Sequence, residues 1–308
     1  MKVSFIIPLY NCLAHTQECL RTLRLSLPAG LDHEIILVDD GSTDGTREWL
    51  ATSAGGCTVV LNERNLGYAG ANNRGAARAT GDLLVLINND LIFAPGWLEP
   101  MLALHARLPR SGLIGNLQYD AQTGALDHAG IGFDAKGKPG HNRLLPLLAW
   151  LAPGYRKVPA VTGACMLLST MLWRELGGFD EGFRNGGEDV DLCLKARAAG
   201  RANAITLRSA VRHHISASPD RKTRDEENSR RLTRRWRDDI AGLAARAWCR
   251  EFLTLAWGRS REPIALSDAL AALAWHLRLC HTPPDVVIRG VTASLDRELA
   301  RWDDLLGA

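Results

Sequence analysis

The chain has 308 residues, of which 46% are hydrophobic and 23% are charged, and its formal net charge is +3. This composition is typical of a folded globular protein and excludes a disordered chain or a bundle of membrane helices. At about 150 residues per domain the length suggests roughly two domains, and the small net charge gives no reason to expect a nucleic-acid partner.

Cysteine usage and the length of the apolar runs predict a cytoplasmic protein. The seven cysteines include no C-x-x-C pair, and we interpret them as reduced core thiols. Residues 1–8 hold one basic residue and an apolar run too short for a signal peptide, so a first strand is expected there. The apolar runs at 144–151 and 269–277 fall well short of the roughly 20 residues that cross a bilayer, so no membrane span is expected.

The first part of the chain alternates short apolar runs with helical patterns, which predicts a parallel sheet with crossover helices. The predicted strands are residues 3–9, 34–38, 58–61 and 82–87. The predicted helices are residues 19–27, a segment ending at Leu50 with Thr43 or Asp44 as its cap, and residues 69–79. Because residues 83–87 are all apolar, the fourth strand is expected to be buried on both faces.

Beyond residue 90 the pattern changes. Pro95 is expected to open a helix that ends near Leu108. Residues 112–168 lose the regular alternation and predict an added half with a mixed sheet, its strands at 112–117, 130–133 and 161–168. Helices are predicted at 171–176 and 188–200, and edge strands at 202–207 and 210–213. After Asp225 only helices are predicted, with breaks near Pro263 and at Pro283-Pro284.

Acidic and amide side chains follow two of the predicted strands, at the sheet edge where open α/β folds bind ligands. Asn88, Asn89 and Asp90 come directly after the fourth strand. A carboxylate there can hold a divalent cation facing a diphosphate, although Asn and Asp also form ordinary turns. Asp39 and Asp40 follow the second strand, where they either accept hydrogen bonds from a base or ribose or only form the turn and cap the next helix.

Two later groups add candidate residues. Glu188, Asp189 and Asp191 begin a predicted helix after two glycines. These acids either supply a general base or only complement the helix dipole. His213 and His214 follow a strand-like run, and one imidazole can bind a metal because neighbours on a strand point to opposite faces. An ordinary histidine pair in the core or at the surface is the alternative.

The end of the chain carries an arginine-rich stretch, residues 221–237, and five of the nine tryptophans. The arginines fit a solvated helix face, or contacts to phosphates or an anionic membrane surface. The tryptophans fit helix packing or an interfacial belt. Both alternatives remain open at this point.

Eight stretches of the first 220 residues match the motifs of one known family in the family's own order. They include Ile-Ile-Pro-Leu-Tyr-Asn, Val-Asp-Asp-Gly-Ser, Asn-Leu-Gly-Tyr-Ala-Gly, Asn-Asn-Asp and Glu-Asp-Val-Asp, within residues 6–11, 36–46, 65–75, 86–90, 161–166, 177–181, 188–193 and 213–218. Taken together, the stretches resemble the inverting family-2 glycosyltransferases, and specifically their bacterial rhamnosyltransferase-like branch. The resemblance implies an α/β fold of the GT-A, Rossmann-like type over residues 1–220, with a mostly parallel sheet flanked by helices, and a C-terminal helical extension over 221–308.

The resemblance also implies a role for individual residues. The implied donor contacts are Pro8, Tyr10, Asp39, Gly67, Asn73 and Asn88. Asp90 matches the carboxylate of the family's Asp-x-Asp metal motif, in which Asn88 stands as a weaker, neutral ligand at the first position. His213 matches the family's late metal-binding histidine, with His214 as the alternative. Asp189 matches the catalytic base, and Glu188 a supporting carboxylate.

The implied reaction is inverting transfer of a sugar from a UDP- or dTDP-sugar to a hydroxyl of a glycan or lipid-linked saccharide, with Mg²⁺ or Mn²⁺ as cofactor. The implied setting is bacterial cell-surface polysaccharide synthesis, in the cytoplasm or peripherally at the inner membrane. A non-catalytic sugar-nucleotide-binding or scaffold subunit on the same fold is the main alternative. A nicotinamide-dependent dehydrogenase is disfavoured because no G-x-G-x-x-G follows the first strand. A nucleic-acid binder is disfavoured because the basic residues lie in one mixed-charge run.

Overall fold

A computed structural model describes residues 1–144, 154–214, 224–257 and 265–307 of the chain. Contacts group the chain into two compact units. Unit 1 comprises Met1–Ile131 and His141–Arg224, and unit 2 comprises Gly132–Gly140 and Asp225–Ala308. The predicted division at residues 220 and 221 lies outside the described residues. That residues 132–140 belong with the C-terminal helices was not predicted.

The strands, in chain order, are β1 (Val3–Leu9), β2 (His33–Asp39), β3 (Cys57–Leu61), β4 (Leu83–Ile87), β5 (Leu91–Ile92), β6 (Ser111–Asp120), β7 (Leu126–His128), β8 (Ile131–Phe133), β9 (Pro139–His141), β10 (Tyr155–Lys157), β11 (Cys165–Ser169) and β12 (Ala202–His213). The helices are α1 (Leu13–Ser26), α2 (Thr46–Ser53), α3 (Gly67–Ala76), α4 (Glu99–Arg107), α5 (Thr170–Glu175), α6 (Glu188–Ala198), α7 (Asp225–Trp257), α8 (Leu266–His276) and α9 (Asp285–Leu306).

Unit 1 is built on one mixed sheet with the strand order β10-β12-β6-β11-β4-β1-β2-β3, to which β5 adds at β12 and β7 at β6. Strands β4, β1, β2 and β3 are parallel throughout, with Leu9 opposite Asp39 at the end of β1. β11 is antiparallel to both β4 and β6. The predicted α/β fold, a parallel sheet flanked by helices that continues into a mixed half, is confirmed. Since the carboxyl ends of the parallel strands meet at one edge, residues that follow them are brought together.

The core of unit 1 lies on both faces of this sheet. All five residues of β4 are buried, as its continuous apolar run predicts. On one face Val85 packs in a cluster with Leu23 of α1 and Leu104 of α4. On the other face α3 approaches closely through Gly75, where an added Cβ would lie 2.5 Å from Ile6 Cγ2. The small residues of α3 therefore serve the close packing that the sequence indicated.

Several predicted elements differ from the structure. The helix predicted from Pro95 begins at Glu99, because Gly96 has a φ of +86° and turns the chain first. The two predicted edge strands after residue 201 are one strand, β12, and it lies inside the sheet between β10 and β6. A register shift between Ile205 and Ala210 interrupts its pairing with β6, which explains the break in the sequence pattern.

The turn after β2 also differs in detail. Gly45 stands at the N-cap position of α2 and makes no side-chain hydrogen bond there, so the side chain that caps the helix is that of Asp44, not Thr43. Asp44 serves two helices at once: its carboxylate accepts from the N–H of Thr46 at 3.2 Å and from the N–H of Leu13 at 3.0 Å. Asp44 therefore fixes the starts of α1 and α2 beside each other.

Unit 2 consists of α7, α8, α9 and the hairpin of residues 132–140. Ion pairs hold α7 to α9, with Arg234 2.6 Å from Asp303 and Arg237 2.6 Å from Asp296. The arginine-rich stretch thus forms paired helix faces in its described part. Trp302 is fully buried and Trp275 nearly so, which confirms the packing interpretation for these two tryptophans.

No helix in the described parts of the chain is long and apolar enough to cross a membrane. All seven cysteines are free. Cys19, Cys165, Cys193 and Cys249 are buried, as predicted for core thiols, whereas Cys12 and Cys57 are half-buried and Cys280 is exposed. Burial raises the pKa of Cys165 to about 12, so its thiol stays protonated near neutral pH.

Candidate active site

Two distant residues predicted to bind metal lie together at the carboxyl edge of the sheet. Asp90 follows β4, and the short strand β5 then pairs with the end of β12, placing Leu91 opposite His213. As a result the Oδ1 atom of Asp90 is 3.1 Å from the Nε2 atom of His213. The Asp90 carboxylate and the His213 ring are not oriented to form a hydrogen bond. Oδ1 of Asp90 is therefore a buried oxygen without a hydrogen-bond partner.

Asn88, two residues before Asp90, supplies a further oxygen of the kind that binds a divalent cation. Oδ1 of Asn88 is also buried without a hydrogen-bond partner, and His213 is only 3% exposed. Two oxygens and one imidazole nitrogen suit Mg²⁺ or Mn²⁺. Within the described residues no group of three or more His, Cys, Asp or Glu side chains can hold a metal ion. A cation here therefore needs further oxygen ligands, such as those of a diphosphate.

The structure distinguishes between the two neighbouring histidines. Nε2 of His214 lies 3.6 Å from a carboxylate oxygen of Glu18, and its ring contacts the ring of His15 at 4.5 Å. Only the backbone N–H of His214 reaches Asp90, donating to its carbonyl oxygen at 3.0 Å. His213 is therefore the histidine that faces the Asp90 carboxylate.

A second buried histidine lies on β7. His128 is fully buried, is paired in register with Gln118 of β6, and contacts the ring of His141 at 4.7 Å. Burial, with the nearby charges of His141 and His213, holds the pKa of His128 well below its ordinary value. His128 is uncharged at neutral pH and does not oppose a cation at this edge. His128 was not among the candidate residues predicted from the sequence.

The adjacent acids after β2 have separate roles. Asp40 accepts from the N–H groups of Leu66 and Gly67 at 2.9 and 2.8 Å, and so fixes the start of α3. The fully buried carboxylate of Asp39 accepts from Nε of Arg47 at 2.6 Å and from the N–H of Ser42 at 3.3 Å. Both carboxylates are thus engaged in building the turn, and a donor contact by Asp39 stays a prediction.

The other residues predicted to contact the donor lie at the carboxyl end of β1 or in α3. Pro8 is half-buried and Tyr10 is 49% exposed, and both lie at the carboxyl end of β1. Gly67 has a φ of +80° and starts α3. Asn73 is engaged within the protein: its amide nitrogen donates to the carbonyl of Phe179 at 3.0 Å and to Glu181 at 2.8 Å. Asn73 therefore holds the loop before α6, and its donor contact also stays a prediction.

The three acids at the start of α6 differ in exposure. Glu188 is 5% exposed and accepts from the N–H of Gly186 at 2.8 Å. Asp191 is fully buried 3.0 Å from Nζ of Lys195. Asp189 is half-buried, and its Oδ2 accepts from the N–H of Gly163 at 2.9 Å. Of these acids, Asp189 is the one that retains exposed surface for a substrate.

Residues 161–164 connect the two parts of the site. The sequence predicts a strand from residue 161, but β11 begins only at Cys165. The carbonyl of Ala164 accepts from the N–H of Asn88 at 2.9 Å, and the next residue back, Gly163, donates to Asp189. The hydroxyl of Tyr68 donates to the carbonyl of Gly163 at 2.6 Å. We call residues 161–164 the connecting segment, because it joins the Asn88–Asp90 motif to the predicted base.

An α/β sheet with an acid-bearing carboxyl edge and an antiparallel insertion at β11 defines a protein of the GT-A type. The profile of glycosyl transferase family 2 matches residues 4–177, more than half of the chain. The chain belongs to this family.

Two curated relatives and one solved structure illustrate the similarity. The chain is 32% identical over 235 residues to the O-antigen biosynthesis protein RfbC of Myxococcus xanthus, covering 70% of this chain and 18% of that protein. It is 28% identical over 220 residues to the N-acetylglucosaminyl-diphospho-decaprenol L-rhamnosyltransferase of Mycobacterium tuberculosis, covering 64% of this chain and 71% of that protein. The crystal structure of GalNAc-T7 with UDP, GalNAc and Mn²⁺ is 19% identical with a TM-score of 0.64, covering 83% of this chain and 52% of that one, which shows the fold.

Proposed function

We propose that the protein is an inverting glycosyltransferase that moves a sugar from a nucleotide-diphosphate sugar to a hydroxyl of a glycan or lipid-linked saccharide. The observation that carries the proposal is the 3.1 Å approach of Asp90 to His213, together with a buried oxygen of Asn88, two residues before Asp90, that lacks a hydrogen-bond partner. The names of the two relatives, one in O-antigen synthesis and one acting on a decaprenol-linked sugar, support a role in bacterial surface polysaccharide synthesis. Since the chain spans only 18% of the first relative, that relative's full activity is not transferred.

Asp189 is the proposed general base, and buried Glu188 supports the turn before it. An acceptor hydroxyl gives its proton to Asp189 while its oxygen attacks the anomeric carbon from the face opposite the diphosphate. The bond between that carbon and the diphosphate oxygen breaks with its electron pair, and the configuration inverts. Direct displacement needs no covalent sugar–enzyme intermediate.

The proposed cofactor is Mg²⁺ or Mn²⁺, held by Asp90 and His213 with Asn88 as a neutral oxygen ligand. When bound, the cation supplies positive charge that neutralises the departing diphosphate. Tyr10 and Pro8 provide accessible surface for the nucleoside of a UDP- or dTDP-sugar. Asp39 is proposed to contact the donor together with Arg47. Gly67 and Asn73 are proposed to contribute to donor binding by shaping α3 and the loop before α6.

A thermal-shift panel of UDP-, dTDP- and GDP-sugars with and without Mn²⁺ tests this function. We expect one nucleotide class to raise the Tm in the presence of Mn²⁺, since ligand at about 100 times its Kd stabilises a protein by about 2.7 kcal/mol. The same donor should then release nucleoside diphosphate when a glycan acceptor is added. Absence of any shift contradicts the proposal, and binding without release across a panel of acceptors favours the non-catalytic alternative.

We further propose a cytoplasmic location with peripheral docking on the inner membrane through α8. Leu266 and Leu270 of α8 are 69% and 52% exposed, while Ala272 on the other face is buried. The described arginines Arg234 and Arg237 are engaged in ion pairs, so apolar contact carries this proposal.

Sedimentation with phosphatidylglycerol-containing vesicles at physiological salt should pull down the wild-type chain. Leu270→Glu is expected to weaken this binding, because a charge replaces apolar surface. The matched control is Leu25→Glu on α1, whose side chain is 70% exposed in unit 1. Equal sedimentation of both variants and the wild type contradicts docking through α8.

A further inference from the structure

The hydroxyl of Tyr68 is not part of any role assigned so far, although it contacts the connecting segment. Tyr68 is the second residue of α3, and Gly67 before it is fixed by Asp40. Its backbone N–H donates to the side chain of Asn185 at 3.3 Å, and its ring contacts the ring of Phe179 at 5.7 Å. The tyrosine is therefore held at its backbone and its ring, so the direction of its hydroxyl is defined.

The hydroxyl of Tyr68 and the carboxylate of Asp189 bind the two backbone polar groups of the same residue, Gly163. Tyr68 donates to the carbonyl oxygen of Gly163 at 2.6 Å, and the N–H of Gly163 donates to Oδ2 of Asp189 at 2.9 Å. A Cβ at residue 163 would lie 3.0 Å from the Tyr68 hydroxyl oxygen. Glycine at this position therefore leaves room for the hydroxyl of Tyr68 to reach the backbone.

We propose that Tyr68 is a positioning residue that orients Asp189 for proton transfer by fixing the Gly163 backbone. The inference rests on the proposed role of Asp189 as the base. Without the Tyr68 bond, Gly163 can rotate, and the N–H that holds Oδ2 no longer has a defined direction. The connecting segment also binds the N–H of Asn88 through Ala164, so the same contact steadies the base relative to the Asn88–Asp90 motif.

The protonation state of Tyr68 agrees with this role. Burial raises the pKa of Tyr68 well above its ordinary value, and the negative charges of Glu188 and Asp189 raise it further. The hydroxyl therefore stays protonated near neutral pH and remains a hydrogen-bond donor.

The test is Tyr68→Phe in the full chain, which removes the hydroxyl and keeps the ring. Loss of one hydrogen bond in the reacting state corresponds to a kcat about 3- to 10-fold lower, with the donor KM unchanged. Tyr155→Phe on β10, at the far edge of the sheet, is the matched control and should leave kcat unchanged. A wild-type kcat for Tyr68→Phe, or an equal fall in Tyr155→Phe, overturns the inference.

A double variant with Asp189→Asn shows whether Tyr68→Phe lowers kcat through Asp189 or through a general effect on the structure. In the Asp189→Asn background, Tyr68→Phe should lower kcat no further, because the group that it orients no longer takes the proton. A second 3- to 10-fold loss in that background overturns the inference. If Asp189→Asn alone retains turnover, the proposed base is wrong, and this result is distinct from a failure of Tyr68→Phe alone.

A second variant covers the case in which Tyr68→Phe does not fold. Gly163→Ala keeps both polar groups but places a methyl 3.0 Å from the hydroxyl oxygen, so Tyr68 must shift by a few tenths of an ångström. We expect the same fall in kcat at unchanged donor KM. Unchanged kcat in Gly163→Ala contradicts the inference.

Discussion

The variant Asp189→Asn is expected to bind the donor normally and to lose nearly all sugar transfer. The amide has the shape of the carboxylate, and its oxygen can still accept from the N–H of Gly163, while its nitrogen takes the place of the oxygen that accepts from the N–H of Val190 at 2.8 Å. One backbone hydrogen bond is lost, and the fold around the site is expected to persist. It cannot accept the proton of the acceptor hydroxyl. General base catalysis contributes about 10²- to 10⁴-fold, which is the expected fall in kcat. Release of nucleoside diphosphate in the presence of acceptor gives kcat, and calorimetry with the donor and Mn²⁺ gives Kd.

Asp32→Asn is the matched control for this variant. Asp32 is exposed and precedes β2, at the amino edge of the sheet, so the substitution removes an equal charge away from the site. Its kcat should equal that of the wild type. A kcat within about 3-fold of wild type in Asp189→Asn itself is incompatible with a base that supplies about 10²-fold or more, and removes Asp189 from the role.

Residues next to strong local patterns were placed correctly by the sequence. β4 is a continuous apolar run, so the sequence pattern alone predicted where this strand lies. Asn88 and Asp90 were therefore expected just beyond its carboxyl end. The approach of Asp90 to His213 did not follow from composition or spacing, because it depends on the pairing of β12 with β5, a strand of two residues. Only the family resemblance connected the two positions before the structure did.

Other features depend on side-chain contacts that no periodicity encodes. Asp39 and Asp40 are identical neighbours in sequence, yet one binds Arg47 and the other the start of α3, because adjacent strand-end residues point in different directions. Tyr68 lies within a recognised motif, but its partner Gly163 is 95 positions further along the chain. The resemblance marked the motif without indicating which atoms meet.

The ion pairs of unit 2 are another example of contacts that the sequence pattern does not reveal. In sequence the arginine-rich stretch fitted a solvated helix face, or contacts to phosphates or an anionic membrane surface. The structure favours pairing within the protein, because Asp296 and Asp303 of α9 lie 2.6 Å from Arg237 and Arg234. Such pairing requires α7 and α9 to run alongside each other, which a pattern of charges in one helix does not reveal.

The variant Asp90→Asn is expected to weaken the binding of Mn²⁺ strongly. Asp90→Asn replaces the charged oxygen ligand of the proposed metal site by a neutral one, beside the neutral Asn88 that is proposed as a further ligand. Loss of a residue that only supports a metal ligand costs about 10- to 100-fold in metal affinity, so loss of the carboxylate itself should cost at least about 100-fold. Mn²⁺ titration in the presence of UDP, followed by the electron paramagnetic resonance signal of free Mn²⁺, measures this affinity independently of turnover.

The two neighbouring histidines provide a matched pair of variants for the same titration. His213→Gln should weaken Mn²⁺ binding, because its imidazole lies 3.1 Å from the Asp90 carboxylate. His214→Gln should leave Mn²⁺ affinity unchanged, because its ring lies against Glu18 and His15. If both variants bind Mn²⁺ as the wild type does, the cation is not held at this edge. If only His214→Gln loses affinity, the metal ligand is the neighbouring histidine, and β12 must pair differently with β5 when the cation is bound.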